Sequence, residues 1–126
     1  MNQDTEKKGL EAVVAYEKAN GRTARRVQKC GYDLSSTGKD SDSDRHIEVK
    51  ATAKPYFTSR WLEELEWSLA QADKCFYLYL VTDARSEKPR IFEFSGSDLM
   101  KRRPRIVCHY LFDFKKADFQ QRPRLS

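Results

Sequence analysis

The chain reads as an α/β fold, a β-sheet covered by helices, on three observations. Residues 75–81, Cys-Phe-Tyr-Leu-Tyr-Leu-Val, are a nearly continuous apolar run, the pattern of a strand buried on both faces in the middle of a sheet. Residues 45–52, Arg-His-Ile-Glu-Val-Lys-Ala-Thr, alternate charged and apolar side chains with the period of a strand. Residues 4–20 and 59–72 carry apolar side chains at helical spacing, between capping and stop signals.

The first helix, over residues 4–20, has Asp4 or Thr5 to cap its first turn and Gly21 where a left-handed stop is wanted. Leu10, Val13 and Val14 form its apolar stripe, and at about 100° per residue Glu17 falls within that stripe and Glu11 at its margin. A carboxylate so placed needs a reason: an ion pair with an arginine such as Arg25 or Arg26, or a stem packed on the core with its head in water. Residues 22–29 are expected as a first strand and 32–36 as a second, joined through a polar loop at 37–44 to the strand at 45–52. Asp40, Asp42 and Asp44 alternate with serine in that loop, but the glycine and closing glutamate of an EF-hand are missing, which argues against calcium.

After Pro55, Ser59 is expected to cap the helix at 59–72, with Trp61, Leu62, Leu65, Trp67 and Leu69 toward the core and Glu63, Glu64 and Glu66 mostly outward. Residues 83–88 read as a turn and 90–94 as a strand. Ser97 then caps a short helix at 98–102, and 106–112 alternates as an edge strand. The predicted order is α-β-β-β-α-β, then β-α-β. It forms one domain over residues 1–126, with its core at about 5–95 and a basic extension at 96–126.

Composition narrows the function classes. Hydrophobic residues at 39% and charged residues at 34% fit a folded domain with a heavily charged surface, not a disordered tail. The longest apolar run is too short to cross a bilayer and no secretion signal is recognisable, so no membrane role and a cytoplasmic location are expected. Cys30, Cys75 and Cys108 are widely spaced and read as buried thiols. No glycine-rich phosphate loop or nucleophile elbow is present, which argues against ATP hydrolysis and serine catalysis. The net charge of +5 is moderate, but Lys101-Arg102-Arg103-Pro104-Arg105, Lys115-Lys116 and Arg122-Pro123-Arg124 gather it in the last quarter, which favours a polyanionic partner.

Within the strand at 45–52, Glu48 and Lys50 share one face while Ile47, Val49 and Ala51 share the other. Asp33, in Gly31-Tyr32-Asp33-Leu34, adds a second carboxylate from the neighbouring strand. Two carboxylates and a lysine at a sheet edge are a set that holds a hard divalent cation and leaves an ammonium for a phosphate. The plain alternative is an exposed Glu48–Lys50 ion pair worth about 0–1 kcal/mol.

The order Asp33, then Glu48-Val49-Lys50, after a helix bearing Glu11 and Glu17, resembles the PD-(D/E)xK, or restriction-endonuclease-like, nuclease superfamily. More narrowly, five stretches together resemble the protein NO VEIN C-terminal domain: Gly21-Arg22, Gly31-Tyr32-Asp33-Leu34-Ser35-Ser36, Arg45-x-Ile47-Glu48-Val49-Lys50-Ala51, Glu66-Trp67-x-x-Ala70 and Tyr77-Leu78-Tyr79-Leu80-Val81. The resemblance spans about residues 9–95, and Tyr32 stands where the superfamily motif has proline. It implies a restriction-endonuclease-like core, a central mixed β-sheet flanked by helices, and a metal-dependent endonuclease acting on DNA ahead of RNA. Asp33 and Glu48, with the Val49 carbonyl, would bind Mg²⁺ or its substitute Mn²⁺, and Lys50 would orient the attacking water. Glu11, with Glu17 as rival, would be the helix-one glutamate. Lys101, Arg102, Arg103, Arg105, Lys115 and Lys116 would meet nucleic acid. A homodimer and a helicase or ATPase partner fit the same resemblance, as does a nuclease fold without turnover that binds nucleic acid or regulates another protein.

Overall fold

The computed structural model describes residues 3–28, 31–39, 44–107 and 110–120. Helix α1 spans Gln3–Ala19, with Asp4 and Glu6 in its first turn and Lys18 in its last, the charge order the helix dipole favours. It stops before Gly21, whose φ of 78° is the left-handed conformation that glycine adopts without steric cost.

Five strands follow: β1 (Thr23–Arg26), β2 (Leu34–Thr37), β3 (Arg45–Ala51), β4 (Phe76–Thr82) and β5 (Arg90–Ser95). They form one mixed sheet in the order β1-β2-β3-β4-β5, in which every neighbouring pair is antiparallel except β3–β4. Parallel neighbours need a crossover, and helix α2 (Glu64–Ala72) lies in that connection.

The two faces of the sheet carry separate apolar clusters. Val13 of α1 packs with Leu34, Ile47, Ala51, Tyr79 and Val81 on one face. On the other, Ala70 of α2 packs with Phe76 and Leu78, joined by Leu99 of helix α3 (Gly96–Met100). β4 feeds both clusters, with Tyr79 and Val81 to one side and Phe76 and Leu78 to the other, as its unbroken apolar run predicts. Gly9 lets α1 lie unusually close to β3, since a Cβ there would stand 2.5 Å from that of Ala51.

Several sequence expectations are corrected. α2 begins at Glu64, with the Glu63 N–H donating to Glu66 Oε1 at 2.9 Å, so Ser59 does not cap it. Trp61 precedes the helix and is 53% exposed, and Leu65 is also exposed, while Glu66 is buried. Helix α3 is capped by Ser95, not Ser97: Ser95 Oγ accepts from the Asp98 N–H at 3.0 Å. Cys75 is half-buried and unpaired, and Cys30 and Cys108 lie outside the described residues. So do Asp40, Asp42 and the Arg122-Pro123-Arg124 cluster.

Among the described residues of 106–112, where an edge strand is expected, none is in a strand. Residues 103–107 and 110–115 are in neither helix nor strand, and Ile106 and Leu111 are 90% and 89% exposed. Alternation supplies a strand with two faces but not with a partner. Among the described residues no strand pairs with the outer edge of β5. The only regular structure beyond α3 among them is a single 3₁₀ turn at Lys116–Phe119.

Candidate metal and phosphate site

The candidate site lies where β2 and β3 part. Their ladder ends at the Leu34–Ile47 pair, and Asp33 continues it with both its backbone and its side chain. The Asp33 N–H donates to the Ile47 carbonyl at 2.8 Å, and the Val49 N–H donates to Asp33 Oδ2 at 2.9 Å. The His46 N–H turns to β4, donating to the Cys75 carbonyl at 2.8 Å, so two-residue alternation turns the backbone groups of Ile47 and Val49 to the β2 side. The Val49 carbonyl, on the same edge as its N–H, therefore faces the gap beside the Asp33 carboxylate.

Side-chain alternation sends Glu48 and Lys50 to the α2 face of β3. Lys50 Nζ is 3.2 Å from Glu48 Oε2 and 3.1 Å from Glu66 Oε1, with both glutamates buried. Glu6 and Leu10 of α1, one helical turn apart, close the other side. The resulting cleft, about 100 Å³, is lined by Glu6, Leu10, Asp33, Glu48, Val49, Lys50 and Arg60.

Carboxyl groups outnumber the ammonium they share. Burial, followed by the charges of Asp33 and Glu66, pushes the Glu48 carboxyl up to about 9 despite the adjacent Lys50. Burial also raises Asp33, against the lowering effect of the Val49 N–H and of Lys50. Burial alone would lower Lys50, but the Glu48 and Glu66 carboxylates outweigh it and hold the ammonium above its ordinary value. Such a site gains by taking up positive charge. Its oxygen donors, two carboxyl groups and a strand carbonyl, are of the hard kind.

The structure thus places Asp33, Glu48, Val49 and Lys50 around one cleft. Glu11 is exposed and Glu17 is 1% exposed, and neither lines it. Glu17 instead anchors a buried network: its Oε1 lies 3.2 Å from Arg22 Nε and accepts from Ser36 Oγ at 2.8 Å, and its Oε2 accepts from the Tyr79 hydroxyl at 2.9 Å. The expected ion pair of Glu17 with an arginine is formed, and the arginine is Arg22 rather than Arg25 or Arg26. The helix-one glutamate at the cleft is Glu6. Glu66, read from the sequence as outward, is the further acid in contact with Lys50. The sequence signal that could find it is the Glu66-Trp67-x-x-Ala70 stretch of the family resemblance. Lys101, Arg102, Arg103, Arg105, Lys115 and Lys116 are all exposed and stand apart from the cleft lining. The Arg102 guanidinium lies 5.2 Å from the Phe94 ring centre.

Among known proteins, the family model described as Protein NO VEIN, C-terminal matches residues 5–94. No curated protein and no solved structure matches the chain.

Proposed function

Since the chain belongs to the Protein NO VEIN, C-terminal family, we propose that its acidic cleft is the active centre of a metal-dependent endonuclease with a restriction-endonuclease-like core, cutting phosphodiester bonds in DNA. The observation that carries the reading is the junction itself. Asp33, Glu48, the Val49 backbone and Lys50 come together where two strands separate, although Asp33 and Val49 are 16 residues apart in the sequence.

Asp33, Glu48 and the Val49 carbonyl would hold Mg²⁺ or Mn²⁺, which when bound polarises a phosphoryl oxygen and acidifies a water. Lys50 places an ammonium at the same cleft, where it offsets phosphate charge and donates a hydrogen bond to an incoming oxygen. Glu66 fixes that ammonium against β3. The exposed cations from Lys101 onward give a polyanion a second place to rest, with an attraction that salt weakens.

A second reading, a nuclease-fold module that binds nucleic acid or a protein partner without turnover, draws on one specific feature. Lys50 is engaged by the carboxyl groups of Glu48 and Glu66 at once, which withholds it from chemistry unless a cation loosens them. Incubating plasmid and single-stranded DNA with Mg²⁺ or Mn²⁺ separates the two. Cleavage by the wild type that Asp33→Ala and Lys50→Ala both abolish supports the enzyme. Salt-sensitive binding with no metal-dependent cleavage supports the module and overturns the enzyme.

A further inference from the structure

At the opposite end of β3 from Lys50, three side chains of different chemistry converge. His46 is the second residue of β3, Asp73 is the C-cap of α2, and Cys75 directly precedes β4. A ring nitrogen, a carboxylate oxygen and the thiol sulfur of these three lie within 4.8 Å of one another. We infer that His46, Asp73 and Cys75 form a second cation site, one that takes a borderline-soft divalent ion of the Zn²⁺ class and is separate from the Asp33 cleft.

The donor set selects the ion. Imidazole and thiolate are soft enough to favour Zn²⁺ over Mg²⁺, and three protein ligands with one open position is a common zinc arrangement. In a tetrahedral zinc site, bond lengths near 2.0–2.3 Å put neighbouring donor atoms about 3.5 Å apart. The present spacing, at most 4.8 Å between any two donors, needs a closure of no more than about 1.3 Å, within the reach of side-chain rotation. On the other side, His46 Nδ1 and Asp73 Oδ2, now 2.5 Å apart, must open by a similar amount.

The surroundings hold the donors in place. The backbone N–H of Cys75 donates to Asp73 Oδ1 at 2.8 Å, which orients the carboxylate and leaves Oδ2 toward the histidine. The Tyr32 ring stacks on His46 with centres 4.6 Å apart and planes 11° from parallel, fixing the imidazole plane. The His46 N–H to Cys75 carbonyl bond ties the two backbones together. The His46 and Asp73 side chains are 28% and 18% exposed, partly desolvated yet reachable by an ion. A cation here would clip the end of α2 and the start of β4 to β3, two residues from Glu48.

The test reads metal binding alone, so its outcome is independent of whether the cleft cuts DNA. The full chain is titrated with Co²⁺, following the sulfur-to-metal charge-transfer absorption, and with Zn²⁺, following Tm. The wild type is expected to bind one Co²⁺ with a thiolate band and to gain Tm with Zn²⁺. Cys75→Ser should lose the band. His46→Gln, which keeps a polar group of similar reach, should weaken binding at least about 100-fold, and Asp33→Ala should leave the site intact. If Cys75→Ser does not fold, the His46→Gln titration decides alone. A wild type without the band, a band that survives Cys75→Ser, or Zn²⁺ binding unchanged in His46→Gln would each overturn the site.

Discussion

Asp33 and Val49 are joined by a side chain acting as a strand: the carboxylate takes the Val49 N–H at 2.9 Å where the β2 backbone has already turned away. One residue therefore both closes the ladder and presents negative charge to the cleft. The two roles separate by substitution. Asp33→Asn keeps an oxygen for the Val49 N–H and should melt within a few degrees of wild type, while under the proposed reading its metal-dependent cleavage falls at least about 100-fold. Asp33→Ala should lose cleavage equally and also about 1 kcal/mol of stability, measured by urea unfolding.

Glu66 touches the lysine rather than the space a phosphate would fill. Glu66→Gln should therefore leave Mg²⁺ affinity within a fewfold of wild type and lower single-turnover cleavage by roughly 10–100-fold, the scale of losing a group that orients another. Equal loss of affinity and rate would instead make Glu66 a metal ligand.

With Glu48 pushed up from 4.5 to about 9, the metal-free folded chain keeps a proton that the unfolded chain releases. The stability linked to that proton is full below about pH 4.5 and is lost as pH rises through about 9. A cation must displace the proton, so Mg²⁺ affinity should climb by up to about tenfold per pH unit between pH 6 and 9. Glu48→Gln should flatten the pH dependence of the metal-free Tm and remove the Mg²⁺-induced rise. Isothermal titration and thermal melts at a series of pH values check both.

The Glu17–Arg22 pair is buried to 1% and 9% exposure, so Glu17→Ala takes a buried carboxylate from Arg22, from Ser36 and from Tyr79 at once, while Arg22 keeps its hydrogen bonds to Ser36. A loss of about 3–5 kcal/mol is expected in urea unfolding. The pair replaced by apolar residues, Glu17→Leu with Arg22→Met, should recover part of that loss. Per folded molecule, neither change should alter metal binding at the Asp33 cleft.

Alanine in place of a mid-helix glycine ordinarily gains about 1 kcal/mol. At Gly9 the added methyl would meet Ala51 at 2.5 Å, atom on atom with little freedom on either side. Gly9→Ala is expected to cost about 1–3 kcal/mol instead. Tm decides the sign, and restoring space with Ala51→Gly should return part of the loss.

The core of the candidate site was legible because strand alternation is a strict rule. Glu48 and Lys50, two apart, must share a face, and the apolar residues between them fix which one. The helix-borne acids were not. Glu6 and Glu17 are 11 residues apart, so an ideal helix points them within about 20° of each other. They differ by about 16 Å along the axis, and only the packing of Gly9 on Ala51 says which height meets the cleft. Glu66 was misplaced for a related reason. Starting the helix at Ser59 turned Trp61 and Leu65 inward, whereas the face packed on the sheet carries Glu66 and Ala70. The alternation at 106–112 is real, but a pattern has no way to state whether a partner strand stands beside it, and among the described residues none does.

The parallel pairing of β3 with β4 sets when the cleft can exist. A growing polypeptide has synthesised Asp33, Glu48 and Lys50 once β3 is complete, yet Glu66 and the strand that flanks β3 on its far side are still to come. Until Phe76 and its successors emerge, Asp33 can be held to Val49, but β3 lacks its parallel neighbour and Lys50 is not yet packed under a folded α2. Under the proposed reading, cleavage therefore waits until translation is far enough along to close the sheet.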